Sequence, residues 1–105
     1  MESDILFEVS TPLSFRVRVT RAYWEFIVTV KHPVMRERAT EVQDVLHTPD
    51  EVRQSRSELA MFLLYRAEDS GRWVCAVAKC LNNEGFLITT YPTDAIKEGE
   101  RIWSR

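Results

Sequence analysis

The sequence predicts an α+β domain in which two N-terminal helices pack on a mainly antiparallel four-stranded sheet, preceded by an extra strand or hairpin. Three observations predict this fold class. Apolar and polar residues alternate near the start of the chain, apolar residues then recur at helical spacing, and the second half consists of apolar runs separated by turn residues. The 105 residues suffice for one domain, with an extension over 1–21 and a core over 22–103.

The first predicted element is a strand over residues 15–20. Phenylalanine and valine alternate there with two arginines, which indicates a half-buried strand with one wet face. Residues 5–9 are its predicted partner, because Thr11 and Pro12 lie between the two segments and favour a turn.

Two helices are predicted next. Over residues 23–30, apolar side chains fall at i, i+3, i+4 and i+7, which is one stripe of a helix. Thr20 is its predicted N-cap, and Pro33 its boundary. Over residues 35–46 the apolar spacing is again helical, and a capping-box pattern makes Thr40 an alternative start.

The second half of the chain predicts a β-meander. The predicted strands cover residues 51–57, 60–66, 73–80 and 86–91. The first is polar and is expected at an edge, whereas the next two are apolar on both faces and are expected at the centre. Ser70 and Gly71 are expected to form a turn, and residues 94–103 either a short helix or a strap.

Charge and composition limit the kinds of function that the chain can have. Fourteen basic and 16 acidic side chains give a net charge of −2. Nonspecific nucleic-acid binding depends on a net basic field, so any polyanion site in this chain has to be a local patch. The acidic start and the lack of a long apolar run predict a cytoplasmic protein with no signal peptide and no membrane association. Cys75 and Cys80 are predicted to be unpaired thiols on opposite faces of one strand.

Fixed catalytic and cofactor motifs are missing from the sequence. The three glycines stand 14 residues apart and form no phosphate-binding loop. The two histidines and two cysteines lack the spacing of metal ligands, and no nucleophile-elbow motif occurs. We therefore expect no cofactor and no metal, and the sequence argues against dinucleotide binding and serine hydrolase chemistry.

The remaining candidates are polar side chains at the end of the first helix and on the strands. His32 lies at the helix boundary, where a neutral imidazole can exchange a proton at physiological pH. If the strands form a meander, strand parity gathers four more groups on one face, namely Ser55, Tyr65, Lys79 and Thr89. A hydroxyl, a phenol, an ammonium and a threonine around a histidine can orient and neutralise a phosphodiester without a metal.

Each candidate also has an ordinary structural interpretation. His32 is alternatively an exposed residue at a helix end, and the strand residues are alternatively a polar row facing solvent. Arg53 either contacts phosphate or is a solvated edge arginine. His47 is expected to be a cation at a helix C-terminus. Trp103 either covers the core or offers an exposed surface to a partner.

Four segments of the sequence resemble a family of small, uncharacterised bacterial and phage domains. They are residues 24–34, 42–55, 62–66 and 85–94, which begin with Trp-Glu-Phe-Ile, Val-Gln-Asp-Val, Phe-Leu-Leu-Tyr and Gly-Phe-Leu-Ile. That family is assigned to the barnase–EndoU–colicin–RelE nuclease-like superfamily. Its members look like two N-terminal helices followed by a four-stranded antiparallel sheet. The resemblance covers about four-fifths of the chain, and residues 1–21 depart from it.

The resemblance implies metal-independent RNA cleavage, in which the ribose 2′-hydroxyl attacks and a 2′,3′-cyclic phosphate is released. Such proteins look like toxins encoded beside an antitoxin. Four positions are carried over as catalytic, namely His32, Tyr65, Lys79 and Thr89, and two as substrate-binding, namely Arg53 and Ser55. The implied partners are RNA and an antitoxin protein, and a homodimer is left open.

Two hypotheses follow for the function. The first is a metal-independent ribonuclease, of the kind that the resemblance implies. The second is a noncatalytic interaction domain on the same scaffold, which binds a protein through an exposed edge strand or through Trp103. The near-neutral charge favours the second hypothesis. Convergence of the polar candidates in one cleft would favour the first.

Overall fold

A computed structural model describes residues 4–68 and 71–105. Within these residues 46% are in strands and 23% in helices, and seven strands form one mixed sheet. The strands are β1 (Ile5–Ser10), β2 (Arg16–Thr20), β3 (Glu51–Gln54), β4 (Met61–Ala67), β5 (Trp73–Leu81), β6 (Glu84–Thr93) and β7 (Glu100–Ser104). The helical segments are α1 (Arg21–Phe26), a π-helical turn (Ile27–Lys31), a 3₁₀ turn (Pro33–Met35) and α2 (Ala39–His47). Ser70 of the predicted turn lies outside the described residues.

The predicted fold class is wrong in its sheet. The spatial order of the strands is β1-β2-β6-β5-β4-β3-β7. Strands β3 to β6 form the predicted antiparallel meander, but β2 joins it by a parallel pairing with β6, and β7 pairs antiparallel with β3. The sheet is therefore seven-stranded and mixed instead of four-stranded and antiparallel. The two helices follow the β1–β2 hairpin, which is itself part of the sheet.

The parallel junction between β2 and β6 depends on Gly85. Residues 16–18 pair with residues 84–86, and Val17 lies opposite Gly85. A Cβ atom at Gly85 would lie 2.6 Å from the backbone oxygen of Arg16, well inside van der Waals contact. A residue without a side chain lets the two backbones approach this closely. The sheet can therefore extend through the N-terminal hairpin, which the four-strand prediction had left outside it.

Strand β7 corrects two predictions at the C-terminal end. Residues 100–104 form a strand, neither a helix nor a strap, and their pairing moves β3 from the predicted edge into the sheet. The chain enters β7 at Gly99, whose φ of +79° is in the left-handed region that glycine favours. Arg53 secures this turn, because its Nη1 donates to the Gly99 carbonyl oxygen over 3.2 Å. Trp103 packs, partly buried, against the main core.

The first predicted helix is confirmed, and it ends irregularly. The Oγ1 atom of Thr20 accepts a hydrogen bond from the Tyr23 N–H at 3.1 Å, as expected of an N-cap. After Phe26 the helix widens into the π-helical turn, in which the His32 N–H donates to the Ile27 carbonyl oxygen at 2.8 Å. This i→i+5 bond fixes where His32 leaves the helix.

The second helix begins at Ala39, and the capping box predicted at Thr40 is wrong. Arg38 occupies the N-cap position without a side-chain bond to the backbone. Its guanidinium instead pairs with Glu41 at 2.6 Å and with Glu68 at 2.8 Å. The hydrogen bond from Arg38 lowers the pKa of the Glu41 carboxyl. These pairs join the start of α2 to the end of β4.

The two faces of the sheet differ in what covers them. The helices cover one, the helix face, with a core that includes the fully buried side chains of Ile27, Met35, Leu46, Leu64 and Leu87. The other, which we call the open face, carries a smaller apolar cluster of Leu63, Tyr65, Cys75 and Val77, against which Ile96 packs. As predicted, Cys75 and Cys80 lie on opposite faces of β5, both as free thiols. No helix in the described ranges is long and apolar enough to cross a membrane.

Candidate functional site

The strand candidates lie on the open face of the sheet. Arg53 and Thr89 fall in one row across the strands, with Val77 of β5 between them. Lys79 is two residues further along β5, and Tyr65 lies on the other side of the row. Side chains two residues apart on a strand share a face, so these four candidates point to the same side of the sheet.

Three candidates line one depression in the open face, which we call the central pocket. Its volume is about 510 Å³, within the range of small-ligand sites. The floor is apolar and consists of Met61, Leu63, Val77 and Ile88. The rim is polar and consists of Ser55, Ser57, Glu58, Lys79, Thr89, Tyr91 and Glu98. The structure thus brings Ser55, Lys79 and Thr89 together. The other three candidates, His32, Arg53 and Tyr65, do not line the pocket.

Lys79 carries the positive charge on the rim of the central pocket. Its Nζ atom lies 3.2 Å from a carboxylate oxygen of Glu58, and about a third of its side chain is exposed. Exposed ion pairs of this kind contribute about 0–1 kcal/mol, because water screens them. An anionic ligand that enters the pocket can therefore displace Glu58 from Lys79 at small cost.

Thr89 contributes a hydroxyl with unused hydrogen-bonding capacity. Its Oγ1 atom is buried and has no hydrogen-bond partner among the described residues. A register shift lies beside it, because Val77 pairs with Thr89 while Ala78 pairs with Leu87, leaving Ile88 as the extra residue. Such bulges redirect side chains and are common next to functional sites. Thr89 and Ile88 both line the central pocket, although the Oγ1 atom itself is buried.

Ser55 and Arg53 already have partners within the fold. The Oγ atom of Ser55 accepts a hydrogen bond from the Glu58 N–H at 3.2 Å and lies 3.3 Å from the Ser57 Oγ, so it shapes the loop at the pocket rim. The Nε atom of Arg53 donates to Glu51 at 2.6 Å, in addition to the bond from its Nη1 to Gly99. The guanidinium of Arg53 therefore holds β3 to the turn before β7.

His32 approaches the open face from the side of β6. Its ring packs against the ring of Tyr91, with 5.3 Å between the centroids, and Tyr91 is part of the pocket wall. Tyr91 pairs with Cys75, which lies four residues from Lys79 along β5, a distance of about 13 Å. Thr89 lies between these two positions. Along the sheet, the contact with His32 and the position of Lys79 therefore lie on opposite sides of Thr89.

Tyr65 belongs to a buried cluster beside the central pocket. Its neighbours are Cys75 and Tyr91, and the segment 94–98 lies against the two tyrosines. Burial raises the pKa of both phenols, and the adjacent Cys75 adds to the rise. Burial likewise raises the pKa of the Cys75 thiol to about 12. All three groups are therefore protonated at neutral pH, and Tyr65 provides no phenolate.

Sequence reasoning missed two residues that shape the site, Glu58 and Tyr91. Strand parity places Tyr91 on the same face as Thr89, but nothing in the sequence indicates its contact with His32. Glu58 lies in the loop between β3 and β4, where no periodicity predicts that it would reach Lys79.

The donor set of the central pocket is suited to a polar or anionic ligand. It offers hydroxyls, one ammonium and two carboxylates around an apolar floor. No group of three or more His, Cys, Asp or Glu side chains within residues 4–68 and 71–105 is arranged to hold a metal ion. Comparisons with protein-family models, with curated proteins and with solved structures found no match to this chain.

Proposed function

We propose that this chain is a metal-independent ribonuclease that cleaves RNA to leave a 2′,3′-cyclic phosphate, and that it acts as the toxin of a toxin–antitoxin pair. The observation that carries the proposal is the convergence of Lys79 and Thr89 on the central pocket, with His32 stacked on Tyr91 in the same wall. The reaction class comes from the resemblance to nuclease-like domains, and the central pocket offers a place for it.

The phosphate of the scissile linkage is proposed to lie over Thr89. The Oγ1 of Thr89 is buried, and a rotation of the side chain toward the pocket would let it donate a hydrogen bond to a phosphate oxygen and gain the partner that it lacks. Lys79 would leave Glu58 and contact the same phosphate, where its charge stabilises the dianionic transition state. An apolar floor under these groups strengthens both interactions, because it excludes water.

His32 and Lys79 are proposed to carry the two proton transfers. When the 2′-oxygen bonds to phosphorus, the bond to the 5′-oxygen breaks on the opposite side. The 2′-hydroxyl gives its proton to a neutral His32, and the departing 5′-oxygen takes one from the Lys79 ammonium. Such an in-line displacement requires the base and the acid within hydrogen-bond reach of the two oxygens, so both side chains would have to move toward Thr89 when RNA binds.

The charge of the chain limits how many nucleotides of the substrate can be bound. The chain has a net charge of −2, and Glu58 and Glu98 lie on the rim with Lys79. A long polyanion would meet repulsion outside the pocket, so we propose that one linkage and its neighbouring nucleotides are recognised in an unpaired strand. Cleavage should therefore depend less on salt concentration than it does for strongly basic nucleases.

The direct test is cleavage of labelled single-stranded RNA by the purified chain in the presence of a chelator. We expect products that end in a 2′,3′-cyclic phosphate, which mass spectrometry identifies. His32→Ala should lower the rate by about 10² to 10⁴-fold as a lost general base, and Lys79→Ala by at least about 10²-fold. Expression of the wild-type chain, but not of the double variant, should arrest cell growth.

Matched controls are available for both substitutions. His47 lies at the end of α2 with its Nδ1 against the Ser10 carbonyl oxygen, away from the central pocket, and Lys97 is an exposed lysine outside it. His47→Ala and Lys97→Ala should cleave RNA as the wild-type chain does. The ribonuclease proposal fails if the chain cleaves no RNA, or if the His32 and Lys79 variants cleave as well as these controls.

The second candidate function is a noncatalytic protein-interaction domain. The observation that favours it is the pairing of Lys79 with Glu58 and of Arg53 with Glu51, which neutralises two of the proposed substrate contacts. Under this hypothesis the chain co-purifies with a stable protein partner, and neither the complex nor the separated chain cleaves RNA. The same cleavage assay therefore decides between the two candidates.

A further inference from the structure

We infer that a second pocket, built by the N-terminal hairpin, binds the base of an RNA nucleotide next to the cleaved linkage. The pocket is lined by residues of β1, β2, α1 and β6, among them Glu8, Arg18, Tyr23, Phe86 and Ile88. We call it the hairpin pocket. The inference rests on the proposed ribonuclease function. It adds a role for residues 1–21, which have no counterpart in the family that the rest of the sequence resembles.

The hairpin pocket arises where β2 and β6 separate. The two strands pair only over residues 16–18 and 84–86, and the π-helical turn after α1 lies beside β6. The hydroxyl of Tyr23 closes the gap by donating to the carbonyl oxygen of Ile88 at 2.9 Å. The resulting depression has a volume of about 670 Å³, which is large enough for a nucleobase.

The hairpin pocket and the central pocket adjoin each other on the open face. Ile88 lines both of them. Phe86 of the hairpin pocket pairs directly with Lys79 of the central pocket, and side chains at such positions lie about 5 Å apart. A strand of RNA with its phosphate at Lys79 therefore has a neighbouring base within reach of Phe86.

The chemistry of the hairpin pocket favours a flat, uncharged ring. The guanidinium carbon of Arg18 lies over the Phe86 ring, 4.9 Å from its centroid, so the arginine covers one face of the ring and the two groups form one layered platform. Platforms of this kind bind unpaired bases by stacking. Ile88 and the aromatic ring of Tyr23 add apolar wall on the same side.

Two carboxylates argue that the occupant is a base and not a phosphate. Glu8 lines the pocket, and Glu84 pairs with Arg18 at 3.3 Å, so the charge of the arginine is already balanced. Carboxylates repel phosphate but accept hydrogen bonds from exocyclic amino groups, which adenine, cytosine and guanine carry and uracil lacks. The hairpin pocket should therefore prefer an amino-bearing base.

The test uses 2′-O-methyl tetranucleotides, which cannot form the cyclic phosphate, together with cleavable RNA of the same sequences. Phe86→Leu keeps apolar volume but removes the ring, and Glu8→Gln removes the acceptor charge at an exposed site. Arg21→Ala is the control, because Arg21 is an exposed arginine at the start of α1 outside the pocket. Circular dichroism establishes that each variant is folded.

We expect Phe86→Leu to weaken binding of the tetranucleotides by roughly 5- to 100-fold, as loss of a stacked base does, while Arg21→Ala binds as the wild-type chain does. Glu8→Gln should reduce the preference for adenine or cytosine over uracil.

The outcomes separate this inference from the ribonuclease proposal. If the wild-type chain cleaves RNA but Phe86→Leu and Glu8→Gln bind and cleave tetranucleotides as Arg21→Ala does, the base site is refuted and the ribonuclease stands. If the chain binds tetranucleotides through Phe86 but cleaves none, the base site stands and the ribonuclease is refuted. If it neither binds nor cleaves them, both are refuted.

Discussion

The ring of His32 lies against the ring of Tyr91, with 5.3 Å between their centroids and 41° between their planes. This contact joins the end of the π-helical turn to the middle of the sheet. It also connects His32 to the central pocket, because Tyr91 is part of the pocket wall. The position of the proposed general base thus depends on an aromatic contact with a residue from a distant part of the sequence.

Removal of the Tyr91 ring should therefore impair cleavage through His32. Tyr91→Ala leaves the imidazole without its packing surface, and displacement of a catalytic group by about 1 Å can cost about 10²-fold in rate. Tyr91→Phe keeps the ring and should retain most of the activity. Single-turnover cleavage of RNA by the two variants measures the difference. Equal loss in both would show that the phenolic hydroxyl matters and the packing does not.

Thr89→Val should lower the activity without lowering the stability of the fold. Valine has nearly the shape of threonine and removes a buried oxygen that has no partner among the described residues, so the free energy of unfolding should stay constant or rise by about 1 kcal/mol. Activity should fall, because the proposed phosphate donor is lost. Urea unfolding and RNA cleavage are the two measurements.

The neighbouring residue provides the control for Thr89→Val. Thr90 is fully buried on the helix face, and its Oγ1 donates to the Cys75 carbonyl oxygen at 2.8 Å. Thr90→Val should therefore lose about 1 kcal/mol of stability. A Thr89→Val variant that is destabilised as much as Thr90→Val would show that Thr89 has a partner in solution.

Glu58→Gln should increase the affinity for RNA. The substitution removes the carboxylate that lies 3.2 Å from Lys79, so the ammonium no longer has to exchange partners when phosphate enters. Stability should change by less than about 1 kcal/mol, as for other exposed ion pairs. Glu25→Gln, which breaks the exposed pair with Arg36 on the helical side, is the matched control. Unchanged or weaker RNA affinity in Glu58→Gln would mean that Glu58 holds Lys79 in its working position.

The fold should lose stability in alkaline solution. Burial raises the pKa of Cys75 from 9.0 to about 12 and also raises the pKa values of Tyr65 and Tyr91. The folded state therefore keeps protons that the unfolded chain releases, so this stability is complete below about pH 9 and is lost as pH rises further. The urea midpoint should fall above pH 9, and Cys75→Ala should reduce the slope of that fall. A midpoint that is constant from pH 8 to pH 11 would contradict the burial of these groups.

Gly85→Ala should loosen the N-terminal hairpin. The added Cβ atom would lie 2.6 Å from the backbone oxygen of Arg16, so β2 and β6 would have to separate, at a cost of about 1–3 kcal/mol. Gly71→Ala is a useful comparison, because its φ of +77° is strained for alanine although no atom of the described residues lies within 4 Å of the added Cβ. Hydrogen exchange should show faster exchange along β2 in Gly85→Ala and not in Gly71→Ala. Unchanged protection of β2 would contradict the tight junction.

Local patterns predicted the elements that bury one side in the core. The alternation over residues 15–20 and the apolar runs of β4 and β5 gave the strands, and the N-cap at Thr20 followed from its hydroxyl. The strand at residues 100–104 could not be found in this way. Its side chains are mostly exposed, so it has no hydrophobic period, and its pairing with β3 depends on contacts between distant parts of the chain.

The candidate site was predictable only as far as strand parity extends. Parity placed Lys79 and Thr89 on one face, and the structure puts both on the wall of the central pocket. It could not show that Tyr65 is buried beside the pocket, or that Glu58 reaches Lys79 from a loop. Loop geometry and contacts between helix and sheet arise from the tertiary fold and leave no periodic trace in the sequence.

The π-helical turn determines the direction in which the chain leaves the first helical segment. A regular α-helix advances about 100° per residue, more than a π-helix does, so the same residues Ile27–Lys31 wound as an α-helix would turn everything after them by nearly that angle. The histidine would then leave the helix in a different direction and lose its aromatic neighbour. A variant of this chain that winds the segment as a regular α-helix would keep the sheet but lose the contact between His32 and Tyr91.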